Sequence, residues 1–236
     1  GKLKTKMSSP LSPSYAPELD ATPLCDDEET SYYHQQIGIL RWAVELGRIN
    51  IATEVSILAG FSAAPRIGHL NAVFDVFAYL KKHTRSRLVF DAGYRNLPLE
   101  ESPDWTDFYH DAKEQVPLDA PEPLGKPIEM IAFVDSDHAG DKVTRRSRTG
   151  VLIFLNRAPI VWYSKKQNSV ETSSFGSEFS AMKTGVELIE GLRYKLRMMG
   201  VPIEGPTNVF CDNEAVVKNS TKPESTLKKM HNAIAY

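Results

Sequence analysis

Between residues 92 and 127 the chain carries Pro98, Pro103, Pro117, Pro121, Pro123 and Pro127 among many acidic residues. Proline fixes φ and removes a backbone donor, so a regular helix or strand is not expected here. The stretch separates two segments whose apolar residues repeat with different periods, and a domain boundary is expected within it.

Residues 1–30 hold Pro10, Pro13, Pro17 and Pro23 with serines between them and end in Asp26-Asp27-Glu28-Glu29. That is the composition of an extended tail or linker with little to bury. From Ser31 to about Lys82 the spacing turns helical. Ile37, Leu40, Trp42, Val44 and Leu46 lie around one helix, and Ala52, Val55, Leu58 and Ala59 suggest a second. Leu70, Val73, Phe74, Phe77 and Leu80 outline a third that closes on Lys81-Lys82. Arg87-Leu88-Val89-Phe90 reads as a short strand, which completes a small, mostly helical segment over 31–91.

Beyond Pro127 the pattern is that of strands. Ile128 to Asp135 is apolar on both faces, as a central strand requires. Thr149 to Leu155 and Pro159 to Tyr163 flank the turn-like Asn156-Arg157-Ala158 and predict a hairpin. Ser174 to Met199 predicts a long helix with Phe175, Phe179, Met182, Val186, Ile189 and Leu196 on one side. Gly185 and Gly191 each weaken it by roughly 1 kcal/mol relative to alanine. Thr207 to Cys211 predicts a fourth strand, and Asn213 to Asn219 a short helix. The order of these elements gives residues 128–236 an α/β fold.

Bulk properties restrict the function. A net charge of −2 argues against gripping nucleic acid by overall charge, so any such binding must use local basic clusters. No apolar run approaches the roughly 20 residues of a membrane helix, so no membrane partner is expected. The amino-terminal lysines have no apolar stretch behind them, which gives no secretory signal. Cys25 and Cys211 cannot build a disulfide framework or a cysteine-rich zinc site. Cys211 lies in an apolar run and reads as a small core residue. A reducing cytoplasm fits this usage, and the opening Gly1-Lys2-Leu3 suggests a piece of a longer product.

The chemistry is concentrated in acids at the ends of elements. Asp135 lies at the end of the first predicted strand, Asp212 follows the fourth, and Glu178 lies one turn into the long helix. If the two strands are parallel neighbours, both aspartates emerge at one sheet edge, where the helix can bring Glu178 beside them. Clustered carboxylates repel unless cations neutralise them. Hard oxygen ligands suit Mg²⁺ or Mn²⁺, and two such ions can activate water against a phosphodiester. Each acid also has a simpler role. Asp212 could cap the following helix, Glu178 could be a solvated helix acid, and Asp135 and Asp137 could close a turn.

The residues also resemble a known family. Phe133-Val134-Asp135-Ser136-Asp137-His138-Ala139-Gly140-Asp141, Thr144-Arg145-Arg146-Ser147 and Thr149-Gly150 resemble the opening of the ribonuclease H domain of copia-type LTR retrotransposon polyproteins. Trp162-Tyr163-Ser164-Lys165-Lys166-Gln167, Ser177-Glu178-Phe179, Cys211-Asp212-Asn213 and Lys229-Met230-His231-Asn232 are similar to its later blocks, in the same order. The stretch from Tyr32-Tyr33 to Ala78-Tyr79-Leu80-Lys81 is similar to the end of the reverse transcriptase in those polyproteins.

The resemblance implies a ribonuclease H-like mixed sheet with flanking helices over 128–236. It implies hydrolysis of the RNA strand in RNA/DNA hybrids, with Mg²⁺ or Mn²⁺ held by Asp135, Glu178 and Asp212, and other polyprotein domains as partners. A fourth carboxylate of the family lies beyond the Lys-His block, and no acid follows Glu224 in this sequence. The paired aspartates of a polymerase turn are absent, so no DNA synthesis is expected. Arg145 and Arg146 before the second strand, with Lys165 and Lys166 after the third, are candidate phosphate contacts. Ser173 and Ser174 could donate to phosphate or a ribose 2′-hydroxyl, or cap the helix. Two alternatives stand beside the nuclease: a catalytically incomplete retroelement remnant, and an assembly or nucleic-acid-binding module. An exposed stripe of Leu70, Phe74 and Phe77 would favour the assembly role.

Overall fold

The computed structural model describes residues 8–96, 114 and 116–221. Lys228, Lys229 and His231, with the Lys-His block, lie outside the described residues, as does Pro98 to Lys113 of the proline-rich stretch. The described residues fall into two compact units, each discontinuous in sequence. One lies within Gly1–Leu88, Asp137–Gly150 and Trp162–Thr172, the other within Val89–Ser136, Val151–Val161 and Ser173–Tyr236.

In the first unit, helix α1 (Asp27–Glu45) starts at the acidic run for a local reason. The Asp26 carboxylate accepts the Glu29 amide at 2.9 Å, and the Glu29 carboxylate accepts the Asp26 amide at 3.0 Å. This capping box satisfies donors that helix geometry leaves free. Helices α2 (Ala52–Ala59) and α3 (Ile67–Lys82) pack with α1 around Tyr33, Ile37, Leu40, Val55, Leu58, Val73 and Val76. The Tyr33 hydroxyl donates to the Leu58 carbonyl at 2.7 Å within that core.

The amino-terminal stretch buries more than its composition suggests. Leu11 and Pro17 are buried, and the His69 ring bonds the Pro17 carbonyl at 2.9 Å. One other expectation fails, and one condition set for the assembly role is not met. Arg87–Phe90 forms no strand; Val89 and Phe90 are exposed, so no face of the run has a partner sheet. Leu70 and Phe77 pack against the core instead of forming an open stripe. Exposed apolar residues include Tyr32, Ile39 and Trp42 on α1 and Leu46 at its C-cap, which follow helical spacing.

The strands are β1 (Met130–Asp137), β2 (Arg148–Leu155), β3 (Ala158–Lys166) and β4 (Asn208–Cys211), in the order β3-β2-β1-β4. β1 is interior, which accounts for its apolar run on both faces. It pairs with β4 in parallel, with Ile131 opposite Asn208 and Val134 opposite Cys211. The tight connection between β2 and β3 uses Asn156 at φ 54°, a left-handed conformation that asparagine tolerates. Its amide donates to the Glu129 carbonyl at 2.8 Å and its side-chain oxygen accepts the Glu129 amide at 2.9 Å. The result is an α/β fold with a mixed four-stranded sheet and flanking helices, compatible with a ribonuclease H-like architecture. Among the described residues no helix is long and apolar enough to cross a membrane.

Helix α4 (Ser174–Met198) runs unbroken through both glycines, in the second unit. Its buried face matches the predicted side at Ile189 and Leu196 but not at its first turns. Gly176, Ser177, Glu178, Ala181, Gly185, Ile189 and Leu196 are buried, Phe175 and Phe179 are only half-buried, and Val186 is 40% exposed. Small residues let the helix axis come close to the sheet. A Cβ at Gly185 would lie 2.7 Å from Cγ2 of Val134, whereas one at Gly191 would meet nothing within 4 Å. Gly185→Ala is therefore expected to destabilise the protein by roughly 1–3 kcal/mol through overpacking. Gly191→Ala should instead stabilise it, by up to about 1 kcal/mol, through helix propensity. Urea denaturation of the pair tests this, and a neutral Gly185→Ala would refute the close approach.

Candidate metal centre

The end of the β1–β4 pair places the predicted acids. With Val134 opposite Cys211, the next residue on each chain brings Asp135 level with Asp212. Both are exposed, as expected of residues leaving a sheet edge. The simpler role for Asp212 is taken by its neighbour. Asn213 caps the short helix α5 (Glu214–Ser220), its side chain accepting the Val216 amide at 3.1 Å.

Glu178 reaches the same edge from the first turns of α4. Ser173 fixes the start of that helix, its hydroxyl accepting the Gly176 amide at 3.1 Å. The Glu178 side chain is not a solvated helix acid: the residue is only 6% exposed. One carboxylate oxygen accepts the Ser136 amide of β1 at 3.3 Å, and the other lies 4.0 Å from the Cys211 sulfur of β4. Ligand atoms of Glu178, Cys211 and Asp212 all lie within 4.8 Å of one another.

The electrostatics fit a site for cations. Burial pushes the Glu178 carboxyl above the ordinary glutamate range. The nearby Ser136 hydroxyl and amide oppose that shift, while the charges of Asp135 and Asp212 add to it. Among the described residues none of these acids forms a salt bridge with lysine or arginine. A divalent cation would remove the mutual repulsion; among the described residues the ligand atoms that group together are those of Glu178, Cys211 and Asp212, and Asp135 is not in that group.

Sequence reasoning missed Cys211 as a participant. An apolar strand suggests a core thiol, but the side chain is only partly buried and its sulfur faces Glu178. Its position immediately before Asp212 was the available signal. Asp137, by contrast, has a structural task in the first unit. Its carboxylate accepts the Arg148 amide and lies where a side chain at Gly140 would stand, a Cβ there being 2.1 Å from Oδ2.

The other candidates divide between the units. Ser173 and Ser174 lie in the second with the acids. Ser173 is the helix cap and is half-buried, whereas Ser174 is exposed. Arg145, Arg146, Lys165 and Lys166 lie in the first, where all but Lys166 are exposed. Lys166 binds Asp141 at 2.9 Å. Burial opposes ionisation of Asp141, but the Thr144 amide and hydroxyl with Lys166 outweigh it and hold its pKa to about 2.

Because its pKa is raised on folding, Glu178 favours the folded state when protonated. That contribution is lost as pH rises through the ordinary glutamate value and the raised one. Glu178→Gln should therefore be more stable than the native chain at pH 7 in EDTA, with the difference vanishing below about pH 4. A variant less stable at neutral pH, measured by thermal melting, would contradict the repulsion described here.

The chain is similar to the retrovirus-related Pol polyprotein from transposon RE1 of Arabidopsis thaliana, at 30% identity over 112 residues. That match covers 48% of this chain and 8% of the relative. The corresponding polyprotein from transposon TNT 1-94 of Nicotiana tabacum is 25% identical over 205 residues, 86% of this chain and 13% of the relative. Secreted RxLR effector protein 161 of Plasmopara viticola is 26% identical over 156 residues, 66% of this chain and 87% of the relative. The chain thus spans a small part of the Pol polyproteins it matches. No protein-family profile matches it, and no solved structure does.

Proposed function

We propose that this chain, similar to a segment of copia-type retrotransposon Pol polyproteins, contains a ribonuclease H-type endonuclease module that hydrolyses RNA in RNA/DNA hybrids. The reading is carried by one observation: the parallel β1–β4 register sets Asp135 level with Asp212, and buried Glu178 reaches that edge with no basic partner among the described residues. Asp135, Glu178 and Asp212 would hold Mg²⁺ or Mn²⁺. When bound, two such ions supply an activated water and charge neutralisation at the leaving oxygen.

The protein's own contribution is positional. The Ser136 amide fixes one oxygen of Glu178, so that carboxylate is oriented before any ion arrives. Exposure of Asp135 and Asp212 keeps the edge open to a bulky duplex. Arg145, Arg146, Lys165 and Lys166 would contact phosphates, with Lys166 exchanging its Asp141 partner for one. Ser173 or Ser174 would meet phosphate or ribose. A cytoplasmic setting suits two free thiols.

A second reading, an assembly role within the polyprotein, is favoured by the open apolar stripe Tyr32, Ile39, Trp42 and Leu46 on α1 and its C-cap.

Incubation with a hybrid labelled on its RNA strand tests the proposal. Cleavage to 5′-phosphate and 3′-hydroxyl ends is expected with Mn²⁺ or Mg²⁺ and should stop in EDTA. Asp135→Asn, Glu178→Gln and Asp212→Asn should each lower it by at least about 100-fold, since even outer-shell partners of metal sites cost 10–100-fold. Cleavage that survives Asp135→Asn would remove the site assignment. Mn²⁺-dependent stabilisation without cleavage would favour the catalytically incomplete remnant.

A further inference from the structure

The tightest donor set at this edge is not the three carboxylates. It replaces Asp135 with a sulfur, since Glu178, Cys211 and Asp212 are the residues whose ligand atoms lie within 4.8 Å of one another. We infer that these three side chains form a mixed sulfur–oxygen pocket that binds a thiophilic divalent ion, Zn²⁺ or Cd²⁺, with Cys211 as a direct ligand. The inference rests on the reading of Glu178 and Asp212 as metal ligands and adds a ligand and an ion class to it.

The geometry is close to that of a bound ion. Zinc–sulfur and zinc–oxygen bonds of about 2.3 and 2.1 Å put two tetrahedral ligands about 3.6 Å apart. The Cys211 sulfur and the nearer Glu178 oxygen are 4.0 Å apart, so a shift of a few tenths of an ångström suffices. The exposed Asp212 gives the ion a route from solvent.

An independent observation points into the same place. Ser136 is only 8% exposed, and its hydroxyl oxygen is buried without a hydrogen-bond partner. It stands near the Glu178 carboxylate, close enough to favour its charge without meeting the geometry of a hydrogen bond. A buried hydroxyl left without a partner is costly. A water completing four-coordination around the ion would give it one.

Binding is a ligand exchange without electron transfer. The sulfur–hydrogen bond of Cys211 breaks, its proton passes to solvent, and the sulfur's electron pair forms the bond to the metal. Thiolate is the softest donor present, so it selects Zn²⁺ or Cd²⁺ over Mg²⁺.

Cadmium titration of the full chain in chelator-stripped buffer tests this, read as thiolate-to-metal charge-transfer absorption in the ultraviolet. The native chain and Cys25→Ser should both develop the band with a stoichiometry of one ion. Cys211→Ser should lack it and bind Zn²⁺ at least about tenfold more weakly in competition with a chromophoric chelator. Asp212→Asn, altered at an exposed position, should keep the band and weaken its titration. No band in the native chain, a band that persists in Cys211→Ser, or one lost in Cys25→Ser would overturn the inference. Thermal stabilisation of the native chain by Mn²⁺ reports the hard-ion reading separately, so failure of one is distinguishable from failure of the other.

Discussion

The approach of α4 to β1 at Gly185 governs everything at the acidic edge. Glu178 and Gly185 are seven residues apart, two helical turns, and therefore share a face. Val134 and Ser136 are two residues apart on a strand and likewise share a face. With Gly185 seated on Val134, the helix presents Glu178 to the backbone of Ser136. A bulkier residue at 185 would lift the helix and carry Glu178 away from β1. The glycine that costs helix propensity is thus what brings a buried carboxylate to the strand ends.

Division of labour among neighbouring acids follows from strand geometry. Successive residues of β1 face opposite sides, which sets Ser136 apart from Asp135 and Asp137. Ser136 meets Glu178 through its amide, while Asp137 braces the following loop against Gly140 and the start of β2. Asp135 is exposed and level with Asp212. At β4 the same economy holds. Asn213 takes the capping duty, which leaves Asp212 free of backbone obligations.

Much of this was legible in the sequence because strands and their ends are marked by contrast. An apolar run broken by Asp135, or by Cys211-Asp212-Asn213, announces both a strand and its limit. Helix existence was equally clear, but helix orientation was not. Reading the largest apolar residues inward turned α4 toward Phe175, Phe179 and Val186, whereas Glu178, Ala181 and Gly185 are the buried positions. Hydrophobic size is a poor guide where small residues allow close contact between helix and sheet. The Arg87–Phe90 run has strand composition but no neighbour to pair with, and propensity alone cannot supply one. Cys211 was misread for a related reason: its chemistry depends on Glu178, thirty-three positions earlier in the chain and near only after folding.

Another glutamate in the same unit sits in the opposite electrostatic environment to Glu178. Glu114 lies between Arg193 and Arg197, at 2.7 and 2.9 Å, and the hydrogen bond from Arg193 is the main cause that holds its carboxyl down to about 2. That is how a folded chain ordinarily satisfies a partly buried acid. Glu178 is more deeply buried, has two aspartates for neighbours and is raised where Glu114 is lowered. The later turns of α4 thus pair Glu114 through Arg193 and Arg197, whereas Glu178 in its early turns has no salt bridge among the described residues. Retaining a repelled carboxylate at such a position lowers stability, a cost that the proposed cation would offset.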